Sequence, residues 1–134
     1  MKIRIISSRE EINSIRPNEK AVHLAFRASN ADFLNLLQKA PRLQMIQVPP
    51  SYMRTLSKSI EAFLDIQGVK LLKGDVWGHR KDIDEYFTIE DAIIREIRSL
   101  ADSGAAIDNV AQKARISPQL VKYICEEATQ AATL

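Results

Sequence analysis

The sequence predicts an α/β protein: a small parallel four-stranded β-α sheet, followed by a three-helix helix-turn-helix module. Three observations carry that prediction. Through residues 1–85, short runs rich in Ile, Val and Leu alternate with segments that open on a small polar residue. The connections between those runs are long enough for crossovers, which implies parallel pairing. From Thr88 onward, three helix-like segments follow one another across tight turns.

Taken in order, strands are expected at Lys2–Ile6, Ala21–Phe26, Leu43–Val48 and Val69–Leu72. Ser8 with Glu11, and Ser29 with Asp32, have the capping-box spacing in which a side-chain oxygen accepts an orphan N–H at a helix start, so a helix should follow each. A third helix carries Leu56, Ile60, Phe63 and Leu64 and should stop at Gly68, a residue free to turn left-handed. Alternation along the strands groups Ile3, Ile5, Val22, Leu24, Met45 and Leu71 on one sheet face. Arg4, His23, Gln44 and Lys70 fall on the other, which suggests helices mainly on one side. Residues 74–82 read as a loop, and Ile83 to Phe87 as a connector. The expected boundary lies near residue 85, with a sheet domain at 1–85 and a helical domain at 86–134.

The last third carries the most specific spacing. A helix capped by Thr88 and Asp91 should turn Ile93, Ile94, Ile97, Leu100 and Ala101 inward and end at Gly104. A second helix, Ile107 to Ala114, packs Val110, Ala111 and Ala114. After the turn Arg115-Ile116-Ser117, Pro118 occupies a first helical position, where a missing N–H costs nothing. Val121 and Ile124 anchor the third helix. Such a layout places Ser117, Gln119, Lys122 and Tyr123 as the DNA-binding candidates, with Gln119 suited to adenine and Lys122 to phosphate. The turn position often filled by glycine is Arg115 here.

Composition limits the alternatives. The 134 residues are 46% apolar and 27% charged, ordinary for a globular protein. No apolar run is long enough to cross a membrane, and no apolar leader opens the chain, so a cytoplasmic protein is expected. One cysteine, Cys125, and two histidines, His23 and His79, leave no metal-ligand spacing; no metal, cofactor or catalytic residue is assigned. Charge is uneven: residues 1–87 hold 14 Lys and Arg against 10 Asp and Glu, whereas residues 88–134 hold 5 against 7. That deficit weighs against tight phosphate contact by one copy, and a homodimer would double the contacts.

A second candidate site lies at the carboxyl edge of the parallel strands, where ligands of α/β sheets collect. The loops there bring Arg27, Ser29, Asn30, Ser51, Arg54, Trp77, His79 and Arg80 together as a cradle for a small anion or nucleotide phosphate. No glycine-rich phosphate loop accompanies them.

The segments Ser7-Ser8-Arg9-Glu10-Glu11-Ile12, Val22-His23-Leu24-Ala25-Phe26-Arg27, Pro49-Pro50-Ser51-Tyr52 and Gly74-Asp75-Val76-Trp77-Gly78-His79-Arg80-Lys81-Asp82-Ile83 resemble an uncharacterised family of short proteins from methanogenic archaea, over essentially the whole chain. The resemblance implies an archaeal cytoplasmic setting and supplies no catalytic residue. The expected function is DNA-binding transcription regulation with an N-terminal ligand- or partner-binding domain. Its rivals are an anion- or nucleotide-binding protein or enzyme at the loop edge, and a protein-interaction module marked by an apolar face over Leu120, Tyr123 and Ile124.

Overall fold

The computed structural model describes residues 1–77 and 85–133. The chain divides into two compact units, Lys2–Phe87 and Thr88–Leu134 together with Met1.

The strands are β1 (Lys2–Ile6), β2 (Ala21–Leu24), β3 (Met45–Val48), β4 (Lys70–Lys73) and β5 (Tyr86–Thr88), in the order β4-β3-β2-β1-β5, all within the first unit except the last residue of β5. β1 to β4 pair in parallel, as the crossovers require. With right-handed crossovers, a strand order that advances steadily in one direction puts every connecting helix on one face. The main apolar cluster has that composition. Ile6, Val22, Leu24, Ile46 and Val48 of the sheet pack with Phe33 and Leu36 of α1 (Asn30–Lys39), Ile60 and Leu64 of α3 (Lys58–Ile66), and Ile12 of a 3-10 helix at Arg9–Ser14. A short α2 (Pro50–Met53) precedes α3 and adds Met53 to the edge of the cluster.

The expected four-stranded sheet is five-stranded. Tyr86 and Phe87, read as connector, and Thr88, read as a helix cap, form β5 on the free edge of β1. Ile5 N–H donates to Glu85 O at 2.8 Å, while Met1 and Ile89 exchange two hydrogen bonds of 2.8 Å each, so β5 runs antiparallel. An amphipathic triplet this short has no local signature; it is a strand because a partner at the other end of the chain supplies the ladder.

Register also revises the expected faces. Ile5, His23, Gln47 and Leu72 are mutual neighbours and share a face, and Arg4 lies beside Val22 and Ile46 on the opposite one. Ile3 and Ile5 therefore do not accompany Val22 and Leu24. Alternation within a strand defines two faces but not which of them matches the neighbouring strand's.

Caps divide in the same manner. Ser29 accepts from Asp32 N–H at 3.2 Å and Asp32 returns the bond from Ser29 N–H at 2.8 Å, a complete capping box. Ser8 makes no such bond. Its segment is a 3-10 turn in which Glu11 reaches past it to accept from Ser7 N–H at 2.7 Å.

The second unit holds α4 (Asp91–Asp102), α5 (Ile107–Ala114) and α6 (Pro118–Thr133), each packed on the other two. Glu90 rather than Thr88 precedes α4, since Thr88 belongs to β5. Ile94 and Ile97 are buried, whereas Ile93, expected inward, is exposed. Among the described residues, no helix is long and apolar enough to cross a membrane.

Candidate functional site

The joint between α5 and α6 is three residues long. At its first position Arg115 adopts φ 60°, ψ 40°, the left-handed conformation that ends a helix abruptly, and its N–H donates to Ala111 O. Ile116 N–H reaches the same carbonyl at 3.1 Å and buries its own side chain. Ser117 then starts α6, its carbonyl accepting from Leu120 and Val121 N–H, with Pro118 at the first helical position. Val110, Ala111, Leu120, Val121 and Ile124 close the interior. A methyl group at Ala111 lets the two helices approach closely.

This packing leaves Gln119 and Lys122 exposed on the first turns of α6, with Glu126 exposed one turn further on. Tyr123 is half-buried; burial, aided by the nearby Glu127 carboxylate, pushes its hydroxyl up to about 12 and keeps it a neutral hydrogen-bonding group. Two expectations change. Ser117 is only 2% exposed, so its side chain is withdrawn from the outer face and the candidate contact set shrinks to Gln119, Lys122 and Tyr123. Leu120 and Ile124 lie in the interior at 1% and 0%, so the apolar docking face expected of an interaction module is core instead. Burial, with the Asp102 carboxylate next in effect, raises the Cys125 thiol above its ordinary value, which lowers its thiolate fraction at neutral pH.

At the loop edge of the sheet, Arg27 donates to Thr55 Oγ1 and lies over the Tyr52 ring at 5.0 Å. Ser57, the N-cap of α3, accepts from Ile60 N–H at 3.1 Å and donates to Asn30 Oδ1 at 3.1 Å. These bonds join the start of α1 to the α2–α3 connection, so the structure does bring Arg27 and Asn30 together with that segment. The N-terminus of α1 is already occupied. Asp32, besides closing the capping box, accepts from Arg9 Nε at 2.8 Å, and its carboxylate sits where an anion would otherwise meet the helix dipole. Ser51 and Arg54 are exposed on α2 and at its end, and Trp77 is half exposed beside the buried Val76. His79 and Arg80 lie outside the described residues.

Two polar groupings have no forecast in the sequence reading. On one sheet face Gln47 joins His23, and at the β1–β5 edge the buried Arg4 pairs with Glu85 and lies 5.7 Å from the Tyr86 ring centroid. The first had a faint signal: His23 and Gln47 are each the third residue of their strand. Among the described residues, no group of three or more His, Cys, Asp or Glu is arranged to hold a metal ion.

No curated protein and no solved structure matches this chain. Residues 2–85, which hold strands β1 to β4, match the N-terminal domain model of a family of unknown function, and the chain therefore belongs to the DUF1699 family.

Proposed function

We propose that the protein is a DNA-binding regulator whose helix α6 enters the major groove of duplex DNA. The observation that carries this reading is the α5–α6 joint: a three-residue turn fixed by the left-handed Arg115 and the buried Ile116, with Ala111, Val121 and Ile124 holding α6 from inside. Recognition helices of this kind present their N-terminal residues to base edges. Gln119 is suited to the N6/N7 edge of adenine, a pairing worth about 1–3 kcal/mol of discrimination, and Lys122 and Tyr123 to phosphate or neighbouring bases.

The electrostatic balance favours a dimer in this reading. With 5 basic against 7 acidic residues in 88–134, one copy neutralises few phosphates and binds weakly. Two copies on half-sites about 34–36 Å apart double the contacts. The α/β unit is then the part that takes a ligand or partner, and an archaeal cytoplasmic setting belongs to the same proposal. A small anion as the main ligand is less well supported, because the Asp32 carboxylate occupies the α1 N-terminus.

Selection of bound duplexes from a randomised pool at low salt, followed by titration of the wild type, Gln119→Ala and Lys122→Ala, tests the assignment. Gln119→Ala is expected to relax the selected sequence at one position, and Lys122→Ala to weaken all duplexes alike. Wild-type protein that enriches nothing ends the proposal; two variants that bind as the wild type does remove α6 from the groove.

A further inference from the structure

Three described residues have left-handed backbones, and each follows the end of a helix: Gly68 after α3, Gly104 after α4 and Arg115 after α5. Glycine takes this conformation without penalty, whereas an arginine is strained by its own Cβ. Arg115 is the only non-glycine residue with positive φ among those described. Helix electrostatics do not require it, because Lys113 already stands in the last turn of α5, with its Nζ 3.5 Å from Glu96 Oε1. Packing does not require it either: Arg115 is exposed, and its neighbour Ile116 supplies the buried anchor.

We propose that Arg115 is a phosphate clamp, its guanidinium gripping the DNA backbone beside the start of α6; this rests on the DNA-binding reading above. The side chain stands three residues before Pro118, and the exposed Lys122 four residues after it, so the two cations bracket the first turn of α6. A guanidinium binds a phosphate through two parallel hydrogen bonds, which fixes register as well as adding charge. Its mounting is rigid, since the N–H groups of both Arg115 and Ile116 are tied to Ala111 O. Backbone strain at this one position is then the consequence of placing a cation where the fold alone prefers glycine.

The test compares wild type, Arg115→Gly, Arg115→Asn, Arg115→Lys and Lys122→Ala in the full chain, by thermal unfolding and by titration of one selected and one unrelated duplex across a salt series. Arg115→Gly is expected to raise Tm by roughly 2–4 °C. It should also weaken both duplexes about tenfold at low salt and reduce the slope of log K against log salt by about 0.9, the release of one counterion. Arg115→Asn, which tolerates the left-handed turn, should lose the same increment of salt dependence, and Arg115→Lys should keep it. A Tm that does not rise in Arg115→Gly removes the strain premise and overturns the inference. So does an unchanged affinity and slope in Arg115→Gly while Lys122→Ala weakens binding, and in that case the DNA-binding reading survives. Failure of the wild type to bind either duplex ends both.

Discussion

Across the β2–β3 register, Gln47 Nε2 donates a hydrogen bond to His23 Nδ1 at 3.0 Å, and both side chains are fully buried. With Nδ1 as acceptor, the neutral ring carries its proton on Nε2, which lies 3.5 Å from Asp75 Oδ1. Asp75 Oδ1 also accepts from Val76 N–H at 2.8 Å, so the segment leaving β4 runs over the middle of the sheet at this polar row. Gln47 Oε1 is buried without a hydrogen-bond partner among the described residues. Burying such a pair costs desolvation that one good bond offsets only while both partners remain.

Gln47→Leu is therefore expected to destabilise the fold by about 1–3 kcal/mol, because it strands a buried imidazole nitrogen. Adding His23→Leu should recover part of that loss, since two apolar neighbours leave nothing unsatisfied. A double-mutant cycle in urea unfolding measures the coupling, and additive single effects would show that the bond contributes nothing.

The Arg9–Asp32–Ser29 cluster predicts an acid limb. Burial alone would raise the Asp32 pKa, but the hydrogen bonds from Arg9 and Ser29 outweigh it and hold the carboxyl below its ordinary range. A depressed folded-state value means the contribution is complete above the unfolded value of about 3.9 and is lost as pH falls below it. Asp32→Asn should flatten stability against pH in that window, and Ser29→Ala should cost about 1 kcal/mol at neutral pH through the lost cap. An Asp32→Asn variant with the wild-type acid profile would contradict this assignment.

Tyr123 predicts the opposite limb. Its folded-state value is raised from 10 to about 12, so the folded protein resists ionisation of the hydroxyl. Stability from this group is intact below pH 10 and declines as pH rises from 10 toward 12. Tyr123→Phe should remove that part of the alkaline decline, read by denaturant midpoints at several pH values, while leaving the neutral midpoint little changed.

Ala111 tests the helix joint itself. Ala111→Leu places three extra carbons where α5 meets α6 and is expected to cost about 1–3 kcal/mol by overpacking. Gln112→Ala, on the exposed side of the same helix, should stay within about 0.5 kcal/mol. Equal midpoints for the two variants would mean that α5 does not pack through Ala111.

By itself the sequence determined those elements whose energetics are complete within a few residues. Lys2–Ile6 is a strand and Ile107–Ala114 a helix at the limits their patterns predict, and the Ser29–Asp32 capping box forms because donor and acceptor are three residues apart. Only the tertiary structure decided β5, which exists because Met1 and Ile89, 88 residues apart, complete each other's ladder. The pairing of His23 with Gln47, the shared face of Ile5 and His23, and the withdrawal of Ser117 into the interior were decided at the same level. Periodicity reports a face relative to its own helix or strand, whereas register and burial depend on which distant surface that face meets. A local pattern therefore outlines the joint between α5 and α6, and only packing shows which of its residues remain on the outside.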